Sequence, residues 1–224
     1  MPVNTQQYQI IQNELLQNKV QLIAVSKTKP NEDVQALYDL GQRAFGENYV
    51  QELVDKEASL PKDIQWHFIG HLQSNKVKYI APFVHLIHGV DSEKLLQEIN
   101  KQAVKNNRVI DCLLQIHIAT EATKFGFDGP DLHEFLLSGR LANYSNVCIR
   151  GLMGMASFSE DQDLLSNEFT MLKSYYDKAA TAFPNGQFNI LSMGMSSDYP
   201  LAISKGSNMV RIGSLLFGAR NYTK

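Results

Sequence analysis

The sequence predicts an α/β protein folded as a single (β/α)8 TIM barrel with an additional N-terminal helix. Three observations predict it. Eight short apolar runs recur along the chain, the first of them rich in β-branched residues. Helical segments alternate with them, and strand–helix alternation implies parallel pairing. No Pro/Gly/Ser linker, charge block or low-complexity segment divides the 224 residues, so one domain over 1–224 is expected. Eight such units close a barrel. A strand count alone leaves an open doubly wound sheet as the alternative.

The elements follow in order. Residues 6–18 place Tyr8, Ile10, Ile11, Leu15 and Leu16 at roughly helical spacing. VQLIAV (20–25) is a buried strand. Pro30 and Asn31 open a helix to Leu40, which Gly41 stops. RAFGE (43–47) is a second strand and 49–59 a helix. IQWHFIG (64–70) is a strand, then a short helix over 74–80. FVHLIHGV (83–90) is a strand, and Asp91 and Ser92 can cap the helix that reaches about Asn106. VIDCLLQIHI (109–118) is a strand, with a mostly helical 129–141. VCIRGLMGM (147–155) precedes a long amphipathic helix over 160–183. FNILSMGM (188–195) precedes a helix over 198–205, with Asp198 read as its cap. NMVRIG (208–213) is the last strand, and a short segment, SLLFGAR, follows. That tail is too short for a full eighth helix, and the N-terminal helix is expected to cover the gap.

Composition narrows the function. Lys plus Arg is 21 and Asp plus Glu is 23, a formal net charge of -2, which lacks the basic excess of a nucleic-acid binder. No apolar run approaches the roughly 18 residues needed to span a bilayer. The polar start lacks a cationic region followed by a continuous apolar stretch, so no secretory signal is expected. The two cysteines, Cys112 and Cys148, fit neither a disulfide framework nor a metal knuckle, and both read as strand residues of the core. A reduced, cytoplasmic, monomeric protein that binds no metal is expected.

In such a barrel the chemistry sits where strands end and the following loops begin. Lys27 follows the first strand on the face of Val25. If that face is the barrel interior, desolvation lowers the amine's pKa and makes Lys27 able to form a Schiff base; the alternative is a solvent-exposed lysine at a strand end. SMGMSS (192–197) and RIGSLLFG (211–218) supply glycines and hydroxyls after the seventh and eighth strands, where barrels often cradle phosphate. Ordinary turn glycines and cap serines are the alternative. Arg211, inside an apolar strand, needs a partner: a carboxylate such as Glu47, or an acceptor on a bound ring. His67 and His71 stand four apart, but HFIGH reads as strand and turn rather than the helical zinc motif. Met153, Met155, Met193 and Met195 come in alternating pairs that fill the interior, and one of each pair could pad a ligand ring.

A Lys-bearing first strand and a phosphate cradle after the last point to pyridoxal 5′-phosphate (PLP). Six ordered stretches go further: AVSKTKP (24–30), FGENYVQE (45–52), WHFIGHLQSNK (66–76), RGLMGMA (150–156), SMGMSSDYPLAI (192–203) and GSNMVRIGSLLFGAR (206–220). Together they resemble the signatures of the pyridoxal phosphate homeostasis protein family, over residues 20–220. The resemblance implies a barrel like the N-terminal domain of alanine racemase. It implies that Lys27 holds PLP as a Schiff base, that Ser196, Gly213 and Ser214 hold its phosphate, that Arg211 faces the pyridine nitrogen, and that Asn48 and Met153 lie near the ring. It implies a carrier or buffer of vitamin B6 and amino-acid pools, with PLP-dependent apoenzymes as candidate partners and no catalytic residues assigned. Two features depart from the family pattern: His117 stands where an asparagine is usual, and the N-terminal helix is shorter. Lys124 resembles a family lysine suggested as a secondary anchor.

Racemisation on this cofactor needs two positioned acid/base groups. Lys27 supplies one; racemases of this type take the second, a tyrosine, from an extra β-domain, and a chain ending at Lys224 is expected to lack one. An arginine at the pyridine nitrogen also weakens the ring as an electron sink. Binding and delivery are therefore expected over turnover. The rival is a weak amino-acid racemase using His117, Tyr49 or Tyr199 as second base; a third class is a cofactor-free lysine aldolase.

Overall fold

The computed structural model describes residues 3–121, 125–183 and 186–218. Lys124 and residues 219–220 of the last motif therefore lie outside the described residues. The order is α1 (Thr5–Gln17), β1 (Gln21–Val25), α2 (Asn31–Asp39), β2 (Ala44–Glu47), α3 (Val50–Ser59), β3 (Gln65–Phe68), α4 (Val77–Ile80), β4 (Leu86–Val90), α5 (Glu93–Lys105), β5 (Ile110–Ile116), α6 (Gly129–Leu137), β6 (Val147–Gly154), α7 (Gln162–Ala180), β7 (Ile190–Ser192), α8 (Tyr199–Ser204), β8 (Met209–Ile212) and α9 (Ser214–Phe217). The strands form a closed barrel in sequence order. Every neighbouring pair is parallel, and β8 returns to β1 with Ile23 opposite Arg211.

Strand alternation divides the apolar residues into two cores. Ile23, Ala44, Leu86, Leu113, Met153 and Met209 meet inside the barrel. Their outward neighbours, such as Leu22, Phe45, Trp66 and Ile87, pack with the helices into a larger outer core. Burying each large apolar side chain there contributes about 1.5–3 kcal/mol. Cys112 is in the outer core, whereas Cys148 is only half-buried.

Helix starts follow their capping chemistry. The Ser92 hydroxyl accepts from Leu95 N (3.4 Å), and Asp161 accepts from both Asp163 N and Leu164 N. The helix expected over 129–141 breaks after Leu137, where Gly139 turns left-handed (φ 71°) and a 3-10 turn follows. The strand expected over 188–195 is three residues long, because Gly194 (φ 96°) leaves the extended region. Asp198 stands before α8 without capping it; its Oδ1 accepts instead from Met195 N at 2.6 Å. The N-terminal helix covers the seam that the four residues of α9 leave open. Asn4 N donates to Leu216 O (2.8 Å), and the Tyr199 hydroxyl reaches Glu14 (3.0 Å). Among the described residues no helix is long and apolar enough to cross a membrane.

Candidate functional site

The C-terminal ends of the strands surround a cavity of about 470 Å³, walled by Val25, Lys27, Lys29, Asn48, Ile69, Met155, Phe158, Met195, Ser196, Ser197, Arg211, Gly213, Ser214, Leu215 and Gly218. Its size lies in the small-molecule range. Lys27, Asn48, Ser196, Arg211, Gly213 and Ser214 thus meet in one place, although 187 positions separate the first from the last.

Lys27 is half-buried in a turn just past β1. Lys29 N closes the turn on Ser26 O (3.0 Å), and Thr28 takes a left-handed φ of 63°, uncommon for a β-branched residue. The alternation that buries Ile23 inside the barrel aims Val25 and then Lys27 into the cavity. Lys29 spans the opening: its Nζ donates to Phe217 O (2.8 Å) and Gly218 O (3.4 Å), the carbonyls ending α9.

Beside β1, Gly213 N donates to Ser196 Oγ (3.2 Å), which joins the loop after β7 to the start of α9. A Cβ at Gly213 would sit 3.2 Å from Val25 O and 3.3 Å from Val25 Cβ, so any larger residue would push the loop a few tenths of an ångström from β1. The hydroxyls of Ser196 and Ser214 and the first N–H groups of α9 form a donor-rich corner that suits an anion.

Arg211 closes the floor. Its Nη1 donates to Ser192 O (2.9 Å) and Ser192 Oγ (2.6 Å), and its Nη2 to Gly154 O (3.0 Å). Among the described residues no carboxylate forms an ion pair with it: the Glu47 expected as one alternative lies outside the barrel wall, bonded to Lys56. Burial pushes the Arg211 pKa down to about 10, with Asp198 opposing, so the guanidinium stays charged at neutral pH. Beneath it lies a chain that sequence reading missed. His88 Nδ1 contacts Ser192 Oγ (3.3 Å), and His88 Nε2 contacts His67 Nδ1 (2.9 Å). Burial holds both imidazoles neutral, with the His67 pKa down to about 3 and that of His88 well below its usual value. The only signal in the sequence was a histidine inside each of two apolar runs.

Met153 is not in the cavity wall. It sits one layer deeper, fully buried with Ile23 and Leu113; Met155, two residues on, reaches the rim. Met195 lines the wall while Met193 packs in the outer core. His71 stacks on Phe125 and pairs with Asp91 (2.9 Å), away from His67. The three side chains considered as second bases are absent from the described wall of the cavity. His117 Nε2 contacts Glu121 O (3.0 Å), Tyr49 faces a neighbouring groove, and Tyr199 bonds Glu14. No group of three or more His, Cys, Asp or Glu that could hold a metal occurs among the described residues.

These features define a class: a parallel β/α barrel whose C-terminal mouth joins a lysine after the first strand, an anion corner after the seventh and eighth, and a buried arginine between them. Known proteins give that class a family. The alanine racemase N-terminal domain family matches residues 5–221. The pyridoxal phosphate homeostasis protein of Pasteurella multocida is 39% identical over 223 residues, covering 97% of this chain and 94% of its own. That of Aquifex aeolicus is 41% identical over 207 residues, covering 92% and 90%. PipY of Synechococcus elongatus PCC7942, solved with PLP bound, has a TM-score of 0.80 and 37% identity, covering 89% of this chain and 93% of its own. The chain belongs to the alanine racemase N-terminal domain family and, within it, to the pyridoxal phosphate homeostasis proteins. Alanine racemase of Bartonella henselae shares only the fold (TM-score 0.72, 17% identity), and the whole of this chain covers 61% of it.

Proposed function

We propose that this protein binds pyridoxal 5′-phosphate, holds it as a Schiff base on Lys27, and serves as a cytoplasmic carrier or buffer of vitamin B6 and amino-acid pools rather than as a strong catalyst. The observation that carries the reading is the sharing of one cavity by Lys27, Arg211 and the Ser196–Gly213–Ser214 corner. The residues suit the cofactor. Asn48 Oδ1 is buried in the wall without a described partner, as a polar contact to a ring requires. The missing side chain at Gly213 lets the loop carrying Ser196 and Ser214 pack against Val25, next to Lys27, which brings the anion corner and the amine into one cavity. Bound, the cofactor supplies an aldehyde for an amine and a ring that withdraws electrons.

The chain's own residues favour retention over turnover. Ser196 and Ser214 donate to an anion, and Lys27 provides the amine. Arg211, a cation that offers only N–H donors, disfavours protonation of the ring nitrogen and so limits the ring's electron withdrawal. Met155 and Met195 provide the apolar walls. We further propose that the protein works as a monomer and releases its cargo to PLP-dependent apoenzymes.

Borohydride reduction of the purified protein mixed with PLP, followed by peptide mass mapping, tests this. The pyridoxyl mass should fall on Lys27, and Lys27→Ala should lose both adduct and visible absorbance. A colourless protein with no adduct, or an adduct that persists in Lys27→Ala, overturns it. Lysine-dependent aldol cleavage without PLP would favour the aldolase instead.

A further inference from the structure

A second lysine lies behind the first. Lys56 is buried (4% exposed) although it is charged and belongs to the amphipathic helix α3. Charged side chains are almost never buried this far unless they are paired. All three Nζ donors are used: to Ser26 O, Glu47 Oε1 and Glu52 Oε1, each at 2.7 Å. The same carboxylates grip the chain on both sides of Lys27. Ser26 Oγ donates to Glu47 Oε1 (2.6 Å), and Thr28 N donates to Glu52 Oε1 (2.6 Å). Glu47 is itself fully buried, and its Oε2 has no described partner, so without Lys56 its charge would lie uncompensated. The residue before Lys27 is thus held by its carbonyl and its hydroxyl, and the residue after it by its amide. The amide bond falls on Thr28, whose left-handed backbone needs an external hold.

We propose that Lys56, together with Glu47 and Glu52, is a positioning centre that fixes the turn carrying Lys27, so that its amine enters the cavity already oriented toward a carbonyl carbon. The proposal rests on the reading of Lys27 as the covalent anchor and deepens it. When the neutral amine condenses with an aldehyde, a carbon–nitrogen double bond forms, and the two amine protons leave with the aldehyde oxygen as one water. The rate of that step depends on approach geometry, and a misplacement of about 1 Å can cost on the order of 100-fold. Lys56 does not line the cavity; it acts on Lys27 through the bonds that hold Ser26 and Thr28.

The test compares wild type, Lys56→Met, Lys56→Arg and Glu52→Ala with two probes. PLP carries the aldehyde. Pyridoxine 5′-phosphate carries an alcohol in its place and cannot condense. Borohydride trapping against time reads the rate of bond formation at Lys27, and fluorescence titration with pyridoxine 5′-phosphate reads non-covalent affinity. Lys56→Met and Glu52→Ala should trap PLP about 10- to 100-fold more slowly while binding pyridoxine 5′-phosphate within about twofold of wild type. Lys56→Arg should recover part of the rate. If Lys56→Met does not fold, Glu52→Ala, at a partly exposed position, decides alone. Trapping at the wild-type rate in the folded variants overturns the positioning role and leaves the Lys27 reading intact. A matching loss of affinity for both probes overturns it too, because it marks general damage to the cavity. No adduct on Lys27 in the wild type overturns this proposal and the functional reading together.

Discussion

Gly213 shows how one missing methyl group sets the cavity. Its backbone passes so near β1 that a Cβ would press on Val25 O and Val25 Cβ at 3.2 and 3.3 Å. Its φ of -123° suits any residue, so the constraint is space rather than backbone strain. Gly213→Ala should therefore fold, with a stability loss of about 1 kcal/mol from overpacking, a Tm drop of about 2–4 °C. The same shift moves the Ser196–Gly213 contact, so PLP affinity should fall about tenfold. Calorimetry and PLP titration check the two parts, and unchanged affinity would show that the corner does not hold phosphate. At this scale the sequence revealed residues whose chemistry is unusual for their place. Lys27 at a strand end, Arg211 in an apolar strand and glycines after late strands each break a local pattern. Lys56 and His88 stayed hidden because a charge or imidazole in an amphipathic segment has the same spacing whether it faces water or a buried partner. Arg211 invited the expectation of a carboxylate, yet backbone carbonyls and a serine satisfy it.

The loops over the cavity are governed by elements packed behind them. Glu168 projects from α7 and is buried; its carboxylate accepts from Ser157 N (2.7 Å) and Ser157 Oγ (2.6 Å). Ser157 Oγ then accepts from Thr120 N (3.0 Å), and Glu121 Oε1 accepts from Phe158 N (2.9 Å). One helix residue thereby ties the loop after β5 to the loop after β6 and fixes Phe158 at the mouth. Glu168→Ala removes two charge-assisted bonds and should cost about 2–3 kcal/mol. Hydrogen exchange should speed up at Thr120, Ser157 and Phe158 while the amides of α1 keep their protection. Equal loosening everywhere would mean that Glu168 supports the whole barrel and not these loops. All eight strands were legible as short apolar runs between helical segments, yet their phase was not. The β5–β6 register shifts between Cys112 and Leu113, so Arg150 is the extra residue of a bulge beside Gly151, whose φ is 155°. A bulge changes which residues face inward without changing the apolar pattern. Met153 and Met155 share one face in either phase, so which of them reaches the cavity depends on where the strand ends, which alternation does not give.

At the scale of the whole molecule, the buried titratable groups act on stability with opposite signs. Burial raises the Glu47 pKa from 4.5 to about 6, with Lys56 only partly offsetting it. Between those values the folded state keeps a proton that the unfolded state has lost, so this group makes stability fall as pH rises through that window. His67 and His88 do the reverse. Their folded pKa values lie well below 6.5, so below pH 6.5 unfolding takes up two protons that the barrel refuses, and stability falls as pH drops. His85, at a more exposed position, shifts in the same direction. Near pH 5 the two central histidines outweigh Glu47 by about one proton, and one proton corresponds to about 1.4 kcal/mol per pH unit. Urea unfolding free energy should therefore decline by about that slope from pH 6 to pH 5. His88→Gln keeps a donor and an acceptor between His67 and Ser192 but cannot titrate, so its profile should be nearly flat over the same interval. Glu47→Gln removes the opposing group, so its profile should be about one and a half times as steep as that of the wild type, whatever the variant's absolute stability. If both variants move the slope in the same direction, the charge states assigned to these buried groups are wrong.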